Sequence, residues 1–174
     1  MNLTNQYLKL AEEVLTKGET TQGRNSETRM LWSPQPLVVE DVYKNFPLLQ
    51  DRAQPLYTSV LETMYFLSGD TSFAGMPEVL RSSCWKPWSQ NAERSGSFGR
   101  FYPAQWRAQR AEFGFYDALK GLVNDLKAVK NTGVENRKMV VSLWNKPDND
   151  PTMTRDVACL DSCHSTSLVF NLRQ

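Results

Sequence analysis

The sequence predicts an α+β fold, and three observations carry that prediction. Helical apolar spacing recurs near the start, in the clear run before residue 70 and again through 115–129, strand-like runs follow at 137–145 and 165–172, and a long aromatic, turn-rich segment lies at 72–113. With 174 residues the chain reads as a single domain, residues 1–174, long enough to bury a core without disulfides or metal. A net charge of +1 removes any global electrostatic case for nucleic acid or an acidic membrane, while leaving local phosphate binding by a few arginines open. No apolar run approaches the ~20 residues of a membrane span. The opening "MNLTNQYLKLAEEVLTKG" lacks the basic-then-apolar layout of a signal peptide, and Cys84, Cys159 and Cys163 form no secretory framework. A cytoplasmic protein with free thiols is expected.

Taken in order, the first element is a helix with Thr4 as its N-cap, Tyr7, Leu8, Ala11, Val14 and Leu15 on its apolar side, and Gly18 as its stop. "ETTQGRNSETR" reads as a polar loop, and "MLWSPQPLVV" as an irregular or edge strand because of its two prolines. "PLYTSVLETMYFLSG" is the clearest helix: Pro55 suits the first turn, Leu56, Val60, Met64 and Leu67 repeat at helical spacing, and Leu61, Tyr65 and Phe66 widen the face. Residues 72–113 carry Trp85, Trp88, Trp106, Phe98, Phe101 and Tyr102 among Ser, Gly and Pro, and read as long loops. A further amphipathic helix runs through Phe115, Leu119, Leu122, Leu126 and Val129. "RKMVVSLWN" and "STSLVFNL" have strand composition.

Several side chains have chemistry to offer. Cys163 precedes His164, but neighbours on a strand point to opposite faces, so the pair is poorly placed to share a metal ion or to act as nucleophile and base. A lone cysteine is most often a small buried apolar group; a nucleophilic one needs a cation nearby, and arginine is the obvious type. Glu62 is the one carboxylate in an apolar helical run, either at the edge of the buried face or as a general acid/base. Arg24 sits in a Gly/Ser loop that fits an anion, Arg137 and Lys138 precede a strand, and the tryptophans could wall a flat ligand or simply be core. A thiol, a carboxylate, cations and aromatic walls together suit covalent chemistry on a planar anionic substrate, with no metal.

The order of the motifs resembles the thymidylate synthase family: "FPLL" (46–49), "LETMYFLSGDTS" (61–72), "CWKPW" (84–88), "GRFYPAQWR" (99–107), "NRKMVVSLWN" (136–145) and "SCHS" (162–165), across most of residues 5–172. The resemblance implies the family's mixed sheet with flanking helices. It also implies that Cys163 is the thiolate adding to C6 of dUMP, so that C5 attacks the one-carbon unit of 5,10-methylenetetrahydrofolate, the co-substrate. Glu62 is similar to the family's helix glutamate, which organises water and assists proton transfer. By the same resemblance Arg24, Arg137, Lys138 and Tyr102 bind the deoxypyrimidine monophosphate, with Arg137 and Lys138 reaching across a two-fold interface. Trp85, Trp88 and Arg52 fall to the folate.

Pro55 stands where many members have a folate-contacting histidine, and Pro103 replaces a common glycine after Tyr102. The family continues past its Cys-His strand into segments without counterpart in residues 1–174, so the C-terminal part of the family fold is expected to be absent and a second chain, or a homodimer, to complete the site. Two alternatives stand beside one-carbon methyl transfer. One is a dUMP or dCMP hydroxymethyltransferase of the same superfamily, of the kind phages carry; the other is a non-catalytic relative that binds a partner. No DNA or membrane partner is expected. An unfinished sheet leaves an edge that invites pairing, so light scattering is expected to show an oligomer; a monodisperse monomer would contradict this expectation.

Overall fold

The computed structural model describes residues 2–22, 26–92, 95–149 and 167–170, and it is α+β. The chain divides into two compact units, Met1–Pro55 and Leu56–Gln174.

In the N-terminal unit, helix α1 spans Leu3–Lys17. Its cap is Asn2, whose side-chain oxygen accepts the Asn5 N–H at 2.9 Å, and not Thr4 as the sequence predicts. Thr4 is turned inward, where its hydroxyl accepts the Gln50 N–H at 2.9 Å. Gly18 does end the helix, returning its N–H to the Val14 carbonyl. The covered side of α1 holds Thr4, Leu10, Ala11 and Val14, while Tyr7, Leu8 and Leu15 remain exposed.

The expected polar loop is instead a hairpin of β1 (Glu19–Gln22) and β2 (Glu27–Met30). Its threonines are the reason: β-branched residues favour a pleated backbone, and the facing Thr21 and Thr28 hydroxyls lie 3.1 Å apart in a cross-strand hydrogen bond. After Met30 the proline-bearing stretch is irregular. It is held by the Gln6 side-chain amide, which bonds both the N–H and the C=O of Val38 at 2.8 Å each.

The second unit is built around α2 (Leu56–Ser68). Its buried residues are Tyr65 and Phe66, with Leu61 and Glu62 partly covered, whereas the predicted stripe of Leu56, Val60, Met64 and Leu67 is exposed. Helical spacing alone does not distinguish these two faces; the aromatic side does, because its neighbours are aromatic. Residues 72–113 are not long loops lying over a core. They contain α3 (Glu78–Arg81), a 3₁₀ helix (Lys86–Asn91), α4 (Tyr102–Arg107) and strand β3 (Gln109–Ala111), and they supply much of the core themselves. Phe66 meets Phe101 edge-on at 6.0 Å and Trp85 edge-on at 6.2 Å, and Phe98 meets Phe101 at 5.4 Å. Each such pair contributes about 0.5–1.5 kcal/mol beyond area burial.

Strand β3 pairs antiparallel with β4 (Gly114–Tyr116), which places Phe115 on an exposed strand and not on the helix predicted to contain it. That helix, α5, runs Ala118–Thr132 and buries Ala118, Leu122 and Val129. Strand β5 (Val140–Ser142) pairs antiparallel with β6 (Ser167–Val169), and the four-residue α6 (Lys146–Asn149) lies between them in the chain. Among the described residues the strands thus form three two-stranded antiparallel sheets, and no helix is long and apolar enough to cross a membrane.

Two terminations fix the helices of this unit. Gly69 follows α2 at φ +82°, and a Cβ there would meet the Arg107 Cβ at 3.0 Å, so both conformation and space require glycine. Helix α5 starts at Asp117, whose carboxylate accepts the Lys120 N–H at 2.9 Å and pairs with Arg107 at 2.9 Å. Burial acts to raise the Asp117 carboxyl, but the Lys120 N–H and the Arg107 guanidinium outweigh it and hold the group below the usual carboxylate range. A lowered folded pKa contributes stability that is complete above the unfolded value and is lost as pH falls through the folded one. Asp117→Ala is therefore expected to cost about 1 kcal/mol near neutral pH. Its difference in melting temperature from the wild type should shrink as pH drops below about 4; a difference independent of pH would contradict this account.

Candidate active site

Glu62 lies on the covered face of α2, one helical turn before Phe66. A carboxylate brought beside aromatic rings needs a hydrogen-bond donor, and Trp85 provides it: its indole Nε1 donates to Glu62 Oε1 at 2.6 Å. Trp85 is itself 5% exposed, packed against Phe66, Phe98 and Phe101. Its backbone is held as well, since Trp85 N donates to the Leu80 carbonyl at 3.0 Å. The carboxylate is thus positioned by a ring that the core locks in place.

Tyr102 enters the same cluster from α4. Its ring centroid is 5.0 Å from that of Phe66 and 6.2 Å from that of Phe101, and the residue is buried. Pro103, in place of the glycine the resemblance leads one to expect, occupies the first turn of α4 and is fully buried. Proline suits that position because its missing N–H is one the helix does not use. At the other end of α4, Arg107 donates to the Leu67 carbonyl at 3.0 Å and so satisfies the C-terminus of α2. Tyr65 also belongs to this setting: its hydroxyl donates to the Ser72 carbonyl at 2.8 Å, and burial, with the nearby Asp70 charge, raises its pKa well above the usual tyrosine value.

The structure brings Glu62, Trp85 and Tyr102 together through Phe66 and Phe101. Trp88 stands apart on the 3₁₀ helix with 39% of its surface exposed. Arg137 and Lys138 are exposed immediately before β5, where the Lys138 N–H is held by Asn136 Oδ1 at 2.8 Å. Arg52 is exposed in the N-terminal unit. Cys163 and Arg24 lie outside the described residues. Among those residues no group of three or more His, Cys, Asp or Glu could hold a metal ion.

The larger open volumes lie elsewhere. A cavity of about 610 Å³ in the N-terminal unit is lined by Asn2, Thr4, Phe46, Leu48 and Gln50 among others, and a cleft of about 360 Å³ in the second unit by Phe73, Glu78, Arg81 and Lys86. Neither is lined by Glu62, Trp85 or Tyr102. The site is located by its chemistry and not by cavity size: Arg81 in the cleft is already paired with Glu78.

Sequence reasoning missed the polar partners of α4. "GRFYPAQWR" is conspicuous, but nothing in it tells that Arg100 and Gln105 both hold Asp148 while Arg107 holds the Leu67 carbonyl. The one legible sign was the density of polar residues in an otherwise aromatic segment.

A part-covered carboxylate at the margin of an aromatic cluster has the surroundings of a general acid/base. Residues 5–173 match the family model described as thymidylate synthase, and the chain belongs to the thymidylate synthase family. Members of that family transfer a one-carbon unit, with methylenetetrahydrofolate as co-substrate and dUMP as substrate.

The Glu62–Trp85 bond is open to a direct test. In a double-mutant cycle of Glu62→Ala and Trp85→Phe, unfolding by denaturant should return a coupling of about 1.5–3 kcal/mol, the range for hydrogen bonds to charged groups. A coupling near zero would show that the 2.6 Å contact contributes nothing.

Proposed function

We propose that this chain carries out thymidylate synthase-type chemistry: transfer of a one-carbon unit from methylenetetrahydrofolate to C5 of dUMP through a covalent adduct with Cys163. Family membership supports the general reaction. The observation that carries the reading further is Glu62, kept at the edge of the aromatic cluster by the Trp85 N–H.

An unactivated pyrimidine C5 is a poor nucleophile at neutral pH, and covalent addition removes that obstacle. The Cys163 sulfur forms a bond to C6, and the displaced electron pair makes C5 nucleophilic. After C5 has bonded to the one-carbon unit, its proton must leave before the thiolate can be expelled. Glu62 is the group in this reading that organises water and moves protons at C5 and the ring carbonyl. Its fixed orientation matters because proton transfer requires hydrogen-bond distance to the reacting atom.

The co-substrate supplies the one-carbon unit and, for methylation, the hydride that reduces it. Trp88, partly exposed on its 3₁₀ helix, offers a flat apolar face of the kind an aromatic ring stacks on. Trp85 is almost fully enclosed, so its part in this reading is to hold Glu62. Arg24, Arg137 and Lys138 are the cations for the phosphate, and Tyr102, similar to a site tyrosine of the family, is a further substrate contact. Lysine at 138 keeps the charge of an arginine without its fork geometry. The reading includes a site shared between two chains, with Arg137 and Lys138, exposed before β5, serving the second chain.

The experiment is an isotope assay with labelled methylenetetrahydrofolate and dUMP, run over a range of protein concentrations because the reading includes a site shared between two chains. Cys163→Ala is expected to abolish transfer, and Glu62→Gln to lower turnover by about 10²–10⁴-fold with dUMP binding retained. Transfer that survives Cys163→Ala would overturn the covalent mechanism, and a hydroxymethyl product would move the chain to the hydroxymethyltransferase alternative.

A further inference from the structure

Asp148, on the short α6, is wholly buried, yet no motif of the sequence points to it. Its Oδ2 accepts from Arg100 Nε at 3.1 Å and from Gln105 Nε2 at 2.8 Å. Arg110 Nε lies 3.2 Å from Oδ1, an ionic contact not aligned as a hydrogen bond. Gln105 also donates to the Arg100 carbonyl at 2.7 Å, and the Arg100 guanidinium reaches the Ala108 carbonyl and lies 5.1 Å over the Phe115 ring. One carboxylate thereby joins the entry and body of α4, the β3–β4 hairpin and α6.

A buried carboxylate stripped of its partners is strongly unfavourable. Displacing the segments that carry these partners would strip that carboxylate, so α4 is held in place with them. Gln105 lies three residues after Tyr102 on that helix, on the same side. Tyr102 in turn packs on Phe66, one turn from Glu62. A shift of α4 would move the Tyr102 ring relative to the Glu62 carboxylate.

We propose that Asp148 is a positioning residue for the active site: by holding Arg100, Gln105 and Arg110 together it sets α4, and through α4 the place of Tyr102. The inference rests on the reading of Tyr102 as a substrate contact, and its test has a part independent of that reading. Hydrogen exchange is measured on the full chain for Asp148→Asn, for Arg100→Lys, which keeps the charge but not the fork, and for Arg110→Ala. Asp148→Asn should speed exchange across residues 101–108 by roughly tenfold or more with α5 unchanged, and Arg100→Lys should give the same pattern at smaller size. Arg110→Ala should loosen only the β3–β4 hairpin. Should Asp148→Asn fail to fold, Arg100→Lys decides the matter. Unchanged exchange at 101–108, or a uniform rise through the whole second unit, would overturn the proposal.

The second part is dUMP affinity by calorimetry for Asp148→Asn, Tyr102→Phe and the double variant. Each single change should weaken binding by about tenfold, and the double variant should bind no more weakly than either, since both act through one side chain. Losses that add would show that Asp148 does not act through Tyr102. If the wild type does not bind dUMP, the functional reading falls, while the exchange pattern still decides whether Asp148 positions α4.

Discussion

Trp85 occupies two roles that are usually separate. Its ring is core, enclosed by Phe66, Phe98 and Phe101, while its N–H is the donor that allows Glu62 to sit against that core. An indole can do this because its apolar surface is large and its one polar atom lies at the edge. The rotation of α2 about its own axis follows: the face bearing Glu62, Tyr65 and Phe66 turns to the rings, and the Leu56, Val60, Met64 and Leu67 side is left outside. The carboxylate is consequently held by the Trp85 N–H without being fully buried.

The segment around α4 transmits that arrangement to the rest of the second unit. Pro103 starts the helix, Tyr102 joins the aromatic cluster, and Arg107 ties the end of α2 to the start of α5 by meeting both the Leu67 carbonyl and the Asp117 carboxylate. Arg100 and Gln105 carry the tie onward to Asp148. A six-residue helix cannot be stable by its own hydrogen bonds; here side-chain contacts to three neighbouring elements take their place.

Much of this was legible in the chain by itself. The α+β class, the helix over 56–68, the glycine stops at Gly18 and Gly69 and the strands flanking the end of the chain all followed from spacing and turn chemistry, because these are local properties. The errors came where local preference was silent or divided. Thr4 and Asn2 are both good caps, and only the approach of the Gln50 N–H decides that Thr4 turns inward. Phe115 fits a helical pattern with Leu119 and Leu122, but pairing of Arg110 with Phe115 puts it on a strand. The polar loop of residues 19–29 became a hairpin because its threonines found one another across the turn.

The site divides in the same way. By itself the sequence determined the family, through motifs in the family's order, and it marked Glu62 as the one carboxylate in an apolar helical run. Only the tertiary structure decided that Trp85 holds Glu62 and is not open ligand surface, and that Asp148 belongs with Arg100, Gln105 and Arg110. The reason is physical: a residue's type is written in the chain, whereas the partner that satisfies a buried polar group is set by which segments pack together, 23 residues apart for Trp85 and Glu62 and 48 for Arg100 and Asp148.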